Sequence, residues 1–163
     1  MNRNAPLSAV KTLTGGAPEG YDAKHLAELV ARANGPVLHI LRDDARLAAM
    51  KSALKFFAPD VPVLVFPAWD CLPYDRISPN ADVSANRMAT LAILAEGFER
   101  PSIVLTTLNA ATQKIPPRAV VSQSSFTAEV GKQLNVDKLR GYLVRMGFSQ
   151  APTVTEPGDY AIR

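Results

Sequence analysis

The stretch TLTGGAPEGYDAKHL, Thr12 to Leu26, decides how the first part of the chain is read. Gly15 and Gly20 have the G-x-x-x-x-G spacing of a phosphate-binding P-loop. A working P-loop needs backbone N–H groups around the phosphate, a lysine on its oxygens and a hydroxyl on magnesium. Here Tyr21 and Asp22 stand where Lys and Ser or Thr should follow, Pro18 removes one N–H, and Glu19 adds negative charge. Like unit charges ~4 Å apart repel by about 4 kcal/mol at an effective dielectric of ~20. The absent lysine removes a comparable attraction. Two readings fit: a turn leading into a helix capped by Asp22, or a loop of P-loop descent whose chemistry has been lost. Neither predicts nucleotide binding in the usual mode.

Outward from this loop, helical and strand patterns alternate. Tyr21–Ala33 places Leu26, Leu29, Val30 and Ala33 on one helical face and stops at Asn34-Gly35-Pro36. Val37–Leu41 is a short apolar run of buried-strand type. Asp43 or Asp44 can cap the next helix, Ala45–Phe57, with Leu47, Met50, Leu54 and Phe57 at helical spacing. Val63–Phe66 reads as a second strand. After the irregular PAWDCLPYDRISPNAD, Asp82 is placed to cap a helix to about Glu96, with Met88, Leu91 and Ala95 inward and Gly97 at its end. Ser102–Thr106 is a third strand and Leu108–Lys114 a short helix. The alternation predicts an α/β fold, a parallel sheet with helices on both faces. A first element around Val10–Leu13 would then put the loop where a P-loop belongs.

From Arg118 the texture changes. AVVSQSSFTAEV reads as extended, Val136–Met146 as an amphipathic helix, and PTVTEPGDYAIR as strands around Pro157-Gly158. The expected organisation is a first domain over 1–117 and part of a small α+β domain over 118–163. The final run resembles a strand without a partner, so a longer parent chain is expected.

Composition narrows the function. The 163 residues are 47% hydrophobic and 20% charged, which predicts a packed core rather than disorder. Residues 1–117 carry 12 basic and 11 acidic side chains, and 118–163 carry 6 and 4. Without a basic stripe, strong nucleic-acid binding is not expected. No apolar run reaches the ~18 residues of a membrane span, and the N-terminus lacks a signal-peptide core. A cytoplasmic protein is the expectation. The lone cysteine, Cys71, has no intrachain disulfide partner. His25 and His39 fall on different elements, so neither a metal nor a cofactor is expected.

The connection carries a resemblance. FPAWDCLPYDRISPNADVSANRMATLAIL, with Trp69-Asp70, Leu72-Pro73-Tyr74-Asp75, Ser78-Pro79, Asp82 and Arg87, resembles the N-terminal region of the bacterial transcription-repair coupling factors, the Mfd family. SIVLTTLNAATQKIPP, KQLNVDKLRGYLVRMGF and EPGDYAIR resemble the segments that follow, so the likeness covers about residues 20–163. It implies a P-loop-NTPase-like domain similar to UvrB domain 1a, with a degenerate nucleotide site at Gly15, Gly20, Tyr21 and Asp22. A small domain like UvrB domain 2, which docks onto UvrA, would follow. It implies no catalysis by these residues. The full-length family is an ATP-driven DNA translocase that binds RNA polymerase and double-stranded DNA, with the motor elsewhere. Only 67–81 join the second strand to the next helix, which leaves no room for the damage-probing hairpin of UvrB.

Among single residues, Arg163 matches the Arg of the family's Y-A-x-R-G segment and is the expected UvrA contact, since its planar fork suits carboxylates. Trp69, Tyr74 and Asp75 are expected to fold the connection back onto the sheet. Arg87 is expected to form a surface pair with Asp75 or Asp82. A rival reading is the N-terminal part of an ATP-hydrolysing helicase, with Lys24 replacing the missing lysine. A stand-alone DNA-binding module is the third.

Overall fold

The computed structural model describes residues 12–71, 76, 78–156 and 158–162. These form two compact units, one from the residues up to Arg87 with Phe98–Gln113, the other from Met88–Gly97 with Lys114 onwards.

The first unit is α/β. Its elements are α1 (Tyr21–Arg32), β1 (Val37–Leu41), α2 (Asp44–Phe57), β2 (Val63–Phe66), the first half of α3 (Ala81–Glu96), β3 (Ile103–Thr107) and α4 (Leu108–Ala111). The sheet order is β1-β3-β2, and both pairings are parallel. Val37 and Val63 flank Ile103 from either side. The chain steps from β1 over to β2 and then turns back to the central β3. Right-handed crossovers in opposite directions put their helices on opposite faces, giving a small parallel sheet with helices on both.

β3 is buried along its whole length. Its two threonines are satisfied locally: the Thr106 hydroxyl donates to the Phe66 carbonyl at 2.8 Å, and Thr107 Oγ1 accepts from the Ala110 N–H to cap α4. On one face, Ala23, Leu26 and Val30 of α1 and Leu47, Met50 and Leu54 of α2 close over Leu41, Ile103 and Leu105. The predicted stripes therefore hold at their centres. Leu29, Phe57 and Met88 instead stay exposed at 45%, 40% and 44%, because each lies at the flank of its stripe.

Helix starts differ in detail. Asp43 caps α2, accepting from the Arg46 N–H at 2.9 Å. α1 begins after Gly20, whose φ of 84° favours glycine, with no side-chain cap. Asp22, expected as that cap, lies inside the first turn. At α3 the side chain that accepts a first-turn N–H is Asn80, from Asp82 at 2.8 Å, and not Asp82 itself. Of the first element expected at Val10–Leu13, Val10 and Lys11 fall outside the described residues. Thr12 and Leu13 form no regular structure.

The second unit contains the end of α3, α5 (Arg118–Gln123), α6 (Val136–Arg145), β4 (Ser149–Gln150) and β5 (Asp159–Tyr160). Two expectations are corrected. Residues 118–123 are helical, not extended: Pro117 sets φ at −57° just before the first turn and starts α5. The terminal run is not a hairpin, since β4 and β5 pair in parallel, with Ser149 opposite Asp159. Neither α5 nor α6 buries a residue. Leu91 and Ala95 of α3 are buried, and polar links add to this unit. Arg118 Nε donates to Ala95 O at 2.8 Å, and Tyr142 OH donates to Ser124 O at 2.9 Å while its ring packs on Phe126.

Leu105 has no exposed surface, whereas Val130 is fully exposed. Leu105→Ala should cost about 2–5 kcal/mol of stability and Val130→Ala less than about 0.5, as read from urea denaturation.

Candidate functional site

The loop before α1 is shaped by its own backbone. Tyr21 N–H donates to Pro18 O at 3.2 Å and Lys24 N–H to Gly20 O at 3.2 Å, so Pro18–Tyr21 makes a tight turn into the helix. Asp22 then folds back: its Oδ1 accepts from the Ala23 N–H at 2.9 Å, and its Oδ2 lies 3.3 Å from Arg46 Nη2. A carboxylate thus sits at the positive end of α1 and takes up one of the N–H groups an anion would need. Of the four residues expected at the degenerate loop, Tyr21 and Asp22 border a space beside the turn, whereas Gly15 and Gly20 do not line it. It is a cavity of about 520 Å³ bordered by Thr14, Pro18, Glu19, Asp22, His25 and Arg46. The Tyr21 and His25 rings stack at 6.1 Å along its edge.

Arg46 is the residue that sequence reasoning missed. It comes from α2, 24 positions away, and only the packing of α1 on α2 brings it here. Lys24, the expected substitute cation, pairs with Glu28 at 3.8 Å along α1 and does not border the cavity. Among the described residues, the charge bordering the cavity is therefore one guanidinium, already paired, against the carboxylates of Glu19 and Asp22. His39, on the inner side of β1, is held below the ordinary histidine range by burial, with the Asp22 charge opposing that shift.

A second constellation lies at the carboxyl end of β2. Arg87 is 1% exposed, not a surface residue. Its guanidinium stacks 4.2 Å from the centre of the Phe66 ring and 4.4 Å from that of Trp69. Nη1 donates to Pro67 O at 2.5 Å and to Gln113 Oε1 at 3.1 Å. The same Gln113 oxygen accepts from the Trp69 N–H at 3.1 Å. Among the described residues the Arg87 Nε is buried without a hydrogen-bond partner, and burial lowers the pKa of the group. The expected pairing with Asp82 is not found: Asp82 sits in the exposed first turn of α3, while Arg87 points the other way into the sheet end. Farther along, the Asp70 carboxylate accepts from the Asn80 N–H at 3.2 Å, closing the connection on itself. Asp75, Tyr74 and Arg163 lie outside the described residues. Among the described residues, no cluster of three or more His, Cys, Asp or Glu side chains could hold a metal.

No protein-family model matches the chain. Curated proteins do. The chain is 32% identical over 146 residues to the transcription-repair-coupling factor of Myxococcus xanthus, a match covering 85% of the chain and 12% of that protein. It is 29% identical over 138 residues to that of Escherichia coli and 26% over 151 to that of Haemophilus influenzae, covering 85% and 93% of the chain. The chain belongs to the transcription-repair-coupling factor family. It spans about an eighth of the length of these relatives. Within this family member, the residues that suggested the kinship, Trp69 and Arg87 above all, are the ones that build the stack at the end of β2.

Arg87→Lys should not restore that stack, because an ammonium cannot lie flat between two rings and also reach Pro67 O. A loss of about 2–4 kcal/mol is expected, with Trp69, the sole tryptophan, moving to longer emission wavelength in the native baseline. An unchanged spectrum would place the ring elsewhere.

Proposed function

We propose that the chain is the N-terminal, UvrB-like region of a transcription-repair coupling factor and works as a non-catalytic recruitment module. In this reading residues 1–117 are a P-loop-like domain whose nucleotide site is degenerate, and 118–163 begin the UvrA-docking domain. The full-length protein would engage stalled RNA polymerase and double-stranded DNA in the cytoplasm through an ATP-driven motor elsewhere. This part would help bring UvrA to the lesion in transcription-coupled nucleotide excision repair. The observation that carries the reading is the kinship over 85% of the chain to proteins of that name. Among the described residues no helix is long and apolar enough to cross a membrane.

The chemistry of the first loop supports the absence of catalysis. A triphosphate entering the cavity would meet Glu19 and Asp22, and would have to break the Asp22–Arg46 pair to gain the one arginine that borders it among the described residues. The rival, a nucleotide site contributed to a helicase, is favoured by one observation, the position of Arg46. Arg46→Ala separates the two more sharply than a change at Lys24, since only the rival loses nucleotide affinity.

Magnesium-ATP titrated into the chain should give no saturable heat, and micromolar binding abolished by Arg46→Ala would establish the rival instead. For the partner, immobilised UvrA should retain a version of the chain extended by ~60 residues, a length set by ordinary domain size. Arg163→Ala in that version should weaken retention about tenfold or more, as expected for an arginine hot spot. Equal retention of both would remove Arg163 from the interface, and no retention of either would remove the docking role.

A further inference from the structure

We draw no further inference here: the strongest candidate, the cavity of about 520 Å³ beside the turn into α1, bordered by the Glu19 and Asp22 carboxylates and the stacked Tyr21 and His25 rings, belongs to the site already described, and nothing in the structure shows what covers it.

Discussion

The guanidinium of Arg87, held between two aromatic rings, is the interaction on which the first unit depends. Removing a charge from water is costly unless the site returns comparable contacts. Here Phe66 and Trp69 supply ring faces, and Pro67 O and Gln113 Oε1 supply acceptors. The cation–π share alone is about 2 kcal/mol for a desolvated stack. The partners come from three segments, the end of β2, the connection behind it and the turn after α4, while Arg87 itself stands on α3. One side chain therefore ties together stretches that share few apolar contacts. Gln113 doubles the tie by accepting from the Trp69 backbone. An apolar residue of the same size could fill the volume but could not hold the Pro67 carbonyl or the Gln113 amide in place. This is why Trp69 and Asp70 are held in place although neither lies in a helix or strand.

The loop before α1 solves a related problem by the opposite means. A helix N-terminus leaves N–H groups unpaired and attracts anions. In this chain the attracted anion is internal, the carboxylate of Asp22, and its charge is balanced by Arg46 from the neighbouring helix. The pair is half-exposed, and such pairs contribute little to stability, about 0–1 kcal/mol. Its effect is on what else can bind. An incoming phosphate must compete with a carboxylate that is covalently tethered in position, and tethering gives the carboxylate a concentration no free ligand matches. The same negative charge reaches His39 on β1, where it opposes the burial that favours the neutral ring. Loop, helix and first strand are thus electrostatically linked through one residue.

What could be read from the sequence follows from how local each signal is. The cores of α1 and α2, the three strands and the Asp43 cap were legible because they depend on spacing within a dozen residues. Arg46 at the loop was not, because its distance in sequence hides a contact made by helix packing. Arg87 was misjudged as a surface residue for a different reason. Its neighbours on α3 gave a weak stripe, and an arginine is rarely fully buried. The two rings that bury it lie about twenty positions upstream, and nothing in the helix itself announces them. Residues 118–123 were misread because Val120 and Val121 favour strands, while the signal that prevailed was Pro117 immediately before them. The small second unit was the least legible part, since polar links such as Arg118 to Ala95 leave no periodic trace.

The sheet shows the limit of pattern reading most plainly. VLHIL, VLVF and IVLTT are all short apolar runs, and each predicts a buried strand equally well. Their fates differ because of connectivity. A chain that passes over one strand position and then returns must place its last strand in the middle, with both ladders filled and both faces covered. β3 occupies that place and tolerates two threonines, since each finds a backbone partner. β1, the more hydrophobic run, is left at the edge with Leu38 and Ile40 uncovered. Burial here is assigned by topology and not by composition. A strand richer in apolar residues than its neighbour can therefore be the less buried of the two.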